Sequence, residues 1–183
     1  MRFRFAVGCA ALLVLGACSR AEKPIVRADS TASVDPLSDT ALLQLRYPTM
    51  LQPTGGVPVN SEESVSPNGS AAAEPTSLVM STRGDVTGDG EAEAIVILFS
   101  DSGESGKFLD IVPVFAEGSR ARTGRATFVG DRVRPDSLWV SGGRVYLQLV
   151  AHGPEDPACC PSQAEERRYR LLRDSLALEE TKK

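Results

Sequence analysis

The chain has 183 residues, 42% of them hydrophobic, and a formal net charge of −4 at pH 7. This length is enough for one domain with its own core rather than for two. The acidic balance argues against nucleic acid as a partner and against a polybasic attachment to anionic lipid.

The N-terminal residues have the pattern of an export signal. Two arginines near the start precede an apolar run from Phe5 to Leu15, which is too short to span a bilayer and is typical of a cleaved signal peptide. The run leads into the sequence Leu-Gly-Ala-Cys ending at Cys18, the pattern of a lipoprotein cleavage site. We therefore predict a signal peptide over residues 1–17 and lipidation of Cys18 with acyl chains such as palmitate. The alternative is an ordinary secretory signal in which this cysteine stands by chance.

Lipidation of Cys18 predicts where the protein resides. Cleavage leaves 166 residues, attached to the membrane through acyl chains, and more than one chain makes such attachment stable. The residue after Cys18 is Ser19, whereas Asp at this position tends to retain lipoproteins in the inner membrane of diderm bacteria. By this resemblance we predict a cell-envelope protein that is anchored in the outer membrane and faces the periplasm.

A tether is predicted between the lipid and the folded domain. Residues 18–40 are rich in Ser, Ala, Asp, Thr and Pro and have almost no aliphatic periodicity, which is typical of a flexible linker. The domain is predicted over residues 41–180, with its first apolar positions near Ala41–Tyr47. Residues 52–76 are rich in Pro and Gly, which indicates a loop with one short strand near Val57–Val59.

The middle of the chain has the pattern of β-strands. Ala94–Phe99 is a continuous apolar run of strand length, which predicts a strand buried on both faces. Phe108–Phe115 is a second run, in which Pro113 favours a sheet edge or a bulge. Apolar residues alternate with polar ones on both sides of Gly142 and Gly143, which predicts a tight hairpin.

The C-terminal stretch Ala164–Glu180 fits two structures. Its Glu, Arg and Leu content suits a helix, but the stretch also reads as a hairpin that turns at Arg173–Asp174, and we prefer the hairpin. Since helical periodicity is otherwise nearly absent, we predict a single all-β domain, or a β-rich α+β domain, built as an antiparallel sandwich or curled sheet. The hairpin would direct four side chains inward: Tyr169, Leu171, Leu176 and Leu178.

An acidic loop over residues 85–93 is the first candidate site. Oxygen-bearing side chains stand at loop positions one, three, five and nine, a glycine at position six allows a sharp turn, and the carbonyl of Glu91 falls at position seven. Hard cations such as Ca²⁺ take six to eight oxygen ligands of this kind, so the loop predicts a structural calcium site. The twelfth position is Val96, so the loop is not an EF-hand. The alternative is a turn rich in Asp and Gly that binds nothing. The predicted metal residues are Asp85, Thr87, Asp89, Glu91 and Glu93.

Adjacent cysteines form the second candidate site. Cys159 and Cys160 are the thiols that remain if the signal peptide is cleaved and Cys18 is acylated, and His152 is the single histidine. The cysteines could close a vicinal disulfide that stiffens a loop, which is the interpretation we prefer. They could instead bind copper(I) or zinc together with His152, act as a redox pair, or remain as free or intermolecular thiols.

Catalytic motifs are absent from the sequence. A single histidine leaves little scope for a Ser-His-Asp triad, and no GxSxG, Walker or dinucleotide-binding motif occurs. We therefore predict a non-enzymatic, membrane-anchored lipoprotein that is a binding or structural module, with an envelope protein as partner. The alternative function is a metal-binding or thiol redox lipoprotein centred on Cys159–Cys160.

Several sequence blocks occur in one order between residues 41 and 178. Together they resemble a family of uncharacterised bacterial exported proteins and lipoproteins, whose members carry similar GDxxGDG, GGSGTF, LGDRV and GPxDPxCCP blocks. The resemblance implies the domain boundary and a tyrosine-centred C-terminal strand, but no reaction. The acidic loop also resembles the calcium loops of FG-GAP and dockerin-type repeats. The blocks are Leu45-Arg46-Tyr47-Pro48, Gly84-Asp85-Val86-Thr87-Gly88-Asp89-Gly90, Gly103-Glu104-Ser105-Gly106-Lys107-Phe108, Gly130-Asp131-Arg132-Val133, and His152-Gly153-Pro154 through Cys159-Cys160-Pro161.

Overall fold

A computed structural model describes residues 35–59, 76–102 and 106–183. The predicted signal peptide, Cys18 and most of the predicted tether lie outside the described residues. Strands make up 58% and helix 3% of the described chain, and all sheets are antiparallel. This confirms the predicted all-β fold. The helical part of the described chain lacks the length and hydropathy that a membrane span requires.

Three groups of elements build the domain. The N-terminal segment, residues 35–59, holds a short helix and a two-stranded sheet, and two larger sheets follow it in the chain. The N-terminal elements are α1 (Asp39–Leu42), β1 (Arg46–Tyr47) and β2 (Val57–Pro58). The first large sheet contains β3 (Thr76–Gly84), β4 (Glu93–Asp101), β5 (Lys107–Glu117), β6 (Arg120–Thr123) and β7 (Thr127–Asp131). The second contains β8 (Arg134–Ser141), β9 (Arg144–Ala151), β10 (Gln163–Leu172) and β11 (Ser175–Lys182).

The first large sheet is covered on both faces. Its strands run in the order β3-β4-β5-β6, with β7 also paired to β5, and the second sheet is a meander in the order β11-β10-β9-β8. Ile95 and Ile97 of β4 pack in a core with residues of the second sheet, such as Leu147. Val96 and Leu98 point the other way into a core with the N-terminal segment. The prediction that Ala94–Phe99 is buried on both faces is therefore confirmed, except that Phe99 is only partly buried.

The position of Pro113 differs from the prediction. β5 lies inside the sheet, and its register with β4 is regular across Pro113, so the expected edge or bulge is wrong. β7 pairs with β5 only as far as Ile111, and β6 pairs from Val114 onward. The carbonyl of Pro113 accepts a hydrogen bond from Gly124 N at 2.7 Å. Because the N and C=O of a strand residue face the same side, the missing N–H of Pro113 falls in the gap between β6 and β7.

Both predicted hairpins are present. Gly142 and Gly143 join β8 to β9 with φ values of 57° and 70°, and positive φ at both positions is what a two-residue type I′ turn requires. Arg173 has a φ of 61° in the turn between β10 and β11. The hairpin interpretation of the C-terminal stretch is therefore confirmed, and Tyr169 and Leu176 are buried as expected.

One prediction for this C-terminal hairpin, the direction of Leu178, is wrong. Leu178 was expected to point inward, but it is 52% exposed. β11 is the edge strand of its sheet, and a register shift between the pairs of Arg168 and Tyr169 interrupts the alternation just beyond Leu178. Leu171 is partly buried and packs against the core between the two large sheets, as predicted.

Candidate functional site

The acidic loop connects β3 to β4 and is held by its own hydrogen bonds. The carboxylate of Asp85 accepts from Gly88 N at 2.6 Å and from Gly90 N at 3.0 Å. These backbone donors favour the charged form, so they lower the pKa of Asp85. Gly88 and Gly90 have φ values of 85° and 89°, a conformation that L side chains rarely adopt. The two glycines therefore let the chain wrap around Asp85.

The loop brings some of the predicted calcium ligands together and leaves others in solvent. Glu93 is buried, and its Oε2 accepts from Val86 N at 3.0 Å and from Thr87 N at 3.2 Å. Thr87 Oγ1 lies 3.4 Å from both Asp85 Oδ1 and Glu93 Oε1. Asp89 and Glu91 are exposed, and Asp89 Oδ1 accepts from Glu91 N at 2.8 Å. Hydrogen bonds of this kind can shape the turn without a cation.

The described residues hold no group of three or more His, Cys, Asp or Glu side chains arranged to bind a metal ion. The hydrogen bonds within the acidic loop fit the alternative of a turn that binds nothing. Calcium binding by this loop stays a prediction.

The adjacent cysteines lie in the connection between β9 and β10, and Asp156 organises this connection. One oxygen of its carboxylate accepts from Gly153 N at 2.8 Å and from Ser162 N at 2.7 Å. The other oxygen accepts from Ser162 Oγ at 2.7 Å. These donors, with a smaller contribution from the charge of His152, lower the pKa of Asp156. Asp156 thus ties the two ends of the connection together.

Sequence reasoning missed the role of Asp156. The available signal was an Asp–Pro pair inside a proline-rich loop, since Asp side chains commonly accept from backbone N–H groups at turns.

Cys159 and Cys160 are exposed within this connection, shortly before Ser162. Their sulfur atoms lie at bonding distance, with Cα atoms 3.8 Å apart. Cys160 N donates to Pro157 O at 3.0 Å, which closes a turn that we call the Cys159–Cys160 turn. His152 is half-buried at the base of the connection. Among the described residues it forms no metal-binding group with the two cysteines. This geometry fits a vicinal disulfide better than a metal site, and the oxidation state stays a prediction.

A buried carboxyl group on β5 was not singled out from the sequence. Asp110 is 0% exposed, and its Oδ2 accepts from Met50 N at 3.0 Å. Its Oδ1 is buried and has no hydrogen-bond partner within the described part of the chain. Burial raises the pKa of Asp110, since the charged form loses its hydration. The signal that could have found it is the single acidic residue inside the apolar run Phe108–Phe115.

Asp110 lines a cavity of about 260 Å³ between the first large sheet and the N-terminal segment. One wall comes from residues 48–53 of the N-terminal segment, and the opposite wall comes from β7 and the turn before it. We call this space the Asp110 cavity. The residues that matter for its chemistry are Pro48, Met50, Pro53, Asp110, Arg125 and Phe128.

A more open depression of about 430 Å³ lies on the second sheet and is lined mostly by charged side chains. Glu165 at its wall is only 7% exposed and pairs with Arg167, whose Nη1 donates to Val129 O on the first large sheet. The pair therefore joins the two sheets.

Comparisons with protein-family models, curated proteins and solved structures return no match for this chain. The resemblance to bacterial exported proteins and lipoproteins thus remains a prediction from the sequence blocks.

Proposed function

We propose that the protein is a non-enzymatic binding or structural module of the bacterial cell envelope. It is held at the periplasmic face of the outer membrane by acyl chains on Cys18 and contacts an envelope protein partner. The signal sequence supports the location. The observation that carries the binding role is the Cys159–Cys160 turn, an exposed turn whose sulfur atoms lie at bonding distance.

Three features make this turn a preorganised contact surface. Asp156 holds both ends of the connection through its bonds to Gly153 and Ser162. Three prolines in the connection restrict its backbone. A disulfide would fix the two exposed cysteines relative to each other. A surface that is already ordered loses less conformational entropy when a partner binds.

The same observation supports this proposal over the metal-binding alternative. Metal binding needs thiolates, and two cysteines joined in a disulfide would not supply them. His152, the third ligand that the alternative requires, lies at the base of the connection rather than in a group with the cysteines.

Intact-mass measurement before and after alkylation separates this proposal from the metal-binding alternative. We expect a mass about 2 Da below that of the reduced chain, the loss of two hydrogens in one disulfide, with no alkylation and no dimer. Reduction should barely change the unfolding curve, because a bond between neighbours closes almost no loop. Two thiols that alkylate readily, and become protected when zinc or copper(I) is added, would overturn the proposal in favour of the metal site.

Site-specific photo-crosslinking in the envelope tests the binding role. A crosslinker at the exposed Ala158 should give a discrete product, and Asp156→Ala should weaken it by loosening the turn. Glu155→Ala is the matched control, since Glu155 is an exposed neighbouring carboxylate that makes no such hydrogen bond to the described part of the chain. A crosslinker at the exposed Ser119, on the turn between β5 and β6, controls for random collision. Identical products from Ala158 and Ser119 would count against a contact at the Cys159–Cys160 turn.

A further inference from the structure

We propose that a cavity beside the N-terminal segment binds an oxyanion, a carboxylate or phosphate group, that carries a small apolar body. The cavity has a volume of about 340 Å³ and lies between the N-terminal segment, the connection from β6 to β7 and the turn between β10 and β11. We call it the Arg46 cavity. Its lining does not include the Cys159–Cys160 turn, and the proposal does not depend on the function assigned to that turn.

Arg46 brings to this cavity a positive charge that no carboxylate of the described residues neutralises. Its side chain is exposed at the start of β1. The guanidinium donates only to backbone carbonyls, from Nη2 to Gly56 O at 2.8 Å and from Nε to Gly55 O at 3.4 Å. Both glycines line the Arg46 cavity. A guanidinium has more N–H donors than these two bonds use, so Arg46 keeps donors for a ligand.

The turn before β2 orients the guanidinium of Arg46. Gly55 and Gly56 have φ values of 80° and 62°, a conformation that L side chains rarely adopt. A Cβ atom on Gly56 would lie 3.1 Å from the C and Cβ atoms of Arg46, so the close approach of this turn to Arg46 depends on glycine. A side chain that is already oriented loses less conformational entropy when it binds a ligand.

Arg125 brings a second guanidinium to the same cavity. Its side chain is 65% exposed, and its Nε donates to Asp174 Oδ1 at 2.9 Å. Neither Nη atom donates a hydrogen bond within the described part of the chain. The edge of the guanidinium between the two Nη atoms can therefore pair with both oxygens of a carboxylate or with two oxygens of a phosphate.

The charges that line the Arg46 cavity favour an anion. Among the described lining residues the charged side chains are Arg46, Arg125 and Asp174. Asp174 is already paired with Arg125, so the charge of Arg46 leaves the lining with a net positive charge. Arginine side chains bind carboxylates and phosphates through strong charge-assisted hydrogen bonds.

The neighbouring Asp110 cavity provides room for an apolar body. Pro48, Pro53 and Arg125 line both cavities, so the two spaces adjoin. The Asp110 cavity is also lined by Met50 and Phe128, whose side chains are 50% and 45% exposed. An apolar group that covers these side chains removes apolar surface from water. The volume of about 260 Å³ lies just below the ~300–1,000 Å³ range of drug-sized ligand sites, so the body is small.

Asp110 favours one orientation of such a ligand. Its carboxyl group is 0% exposed, and burial raises its pKa. It offers an anion no positive charge, whereas Arg46 and Arg125 do. The oxyanion therefore binds at the two arginines, and the apolar body lies against Met50 and Phe128.

Titration of the full chain with benzoate and with phenyl phosphate, followed by NMR of backbone amides, tests the proposal. We expect saturable shifts of the Gly56, Arg125 and Phe128 amides. The neutral analogue benzyl alcohol should bind at least about tenfold more weakly, since it cannot form the charge-assisted hydrogen bonds. The tighter of the two anions identifies whether the site prefers a carboxylate or a phosphate.

Three variants isolate the contacts. Arg46→Gln and Arg125→Gln each remove one charge at an exposed position, and each should weaken benzoate binding about tenfold. Phe128→Ala should weaken benzoate binding but leave acetate binding unchanged, because acetate lacks the ring. Arg120→Gln is the matched control, since Arg120 is an exposed arginine on β6 outside the cavity lining, and it should bind benzoate like the parent chain.

Four outcomes overturn the proposal. Equal affinity for benzoate and benzyl alcohol would mean an apolar pocket without ion recognition. Equal loss of affinity in Arg46→Gln and Arg120→Gln would mean a general effect of net charge. The absence of saturable shifts with both anions would mean that the arginines bind only water. If Arg46→Gln does not fold, unchanged benzoate affinity in Arg125→Gln would refute the assigned position of the oxyanion.

Discussion

Replacement of Arg167 by Met should destabilise the domain strongly. Arg167 Nε and Nη2 donate to Glu165 Oε2 at 3.1 and 2.9 Å, and the side chains of this pair are only 16% and 7% exposed. Arg167 Nη1 also donates to the backbone O of Val129 on the facing sheet. Arg167→Met keeps a long apolar side chain but leaves the Glu165 carboxylate buried without its cation.

The expected cost is about 3–5 kcal/mol, the range observed when one partner of a buried ion pair is removed. This is a large share of the ~5–15 kcal/mol by which a domain is stable. For a domain of about 150 residues, each kcal/mol lowers the Tm by about 2–4 °C. The melting temperature of Arg167→Met should therefore fall by about 6–20 °C.

Urea and thermal denaturation, read by circular dichroism, measure this change. Arg170→Met is the matched control, because the same substitution on the same strand breaks a pair with Glu179 in which the Arg side chain is 47% exposed. That control should cost less than about 1 kcal/mol. The double variant Glu165→Leu with Arg167→Met should recover most of the lost stability, since it also removes the buried carboxylate that has lost its cation. An Arg167→Met variant as stable as Arg170→Met would refute the reasoning that the Glu165 charge depends on Arg167.

Two further predictions concern lipidation and calcium. Cys18→Ala should abolish labelling with palmitate and release the protein from membranes, and a variant that labels and fractionates like the parent chain would show that the lipoprotein signal was misread. If the acidic loop binds one calcium ion, calcium at a hundredfold excess over its Kd should stabilise the domain by about 2.7 kcal/mol. Asp85→Ala should abolish this calcium-dependent rise in Tm. If the parent chain melts at the same temperature in calcium and in chelator, the calcium prediction is wrong and the loop is a turn held by its own hydrogen bonds.

Local pattern in the sequence was enough to predict the longest buried strand and the two tight turns at Gly142–Gly143 and Arg173–Asp174. The apolar run Ala94–Phe99 predicts a strand with two buried faces because alternate side chains point to opposite sides of a sheet. Gly142 and Gly143 predict a tight turn because glycine adopts positive φ without strain. The choice of hairpin over helix for residues 164–180 likewise rests on alternation with period two around Arg173–Asp174.

The sites depended more on contacts between distant parts of the chain. Met50 N donates to Asp110 across a separation of 60 residues. The local sequence therefore does not indicate that one oxygen of this carboxyl group accepts a hydrogen bond and that the other does not. The acidic loop and the adjacent cysteines were recognisable because their chemistry lies within one short stretch. Even there, the role of Asp156 became visible only when the two ends of the connection came together.

What the sequence by itself determined is therefore several of the strands, most of their buried faces and the two local motifs, because these follow from side-chain periodicity and turn chemistry. The tertiary structure decided which strands are neighbours and what covers each face. It placed Pro113 in an interior strand at the gap between β6 and β7, and it left Leu178 exposed on the edge strand β11. It also covered Asp110 with the N-terminal segment and created the cavity. The physical reason is that periodicity assigns a residue to a face, whereas burial and hydrogen bonding depend on whatever part of the chain packs against that face.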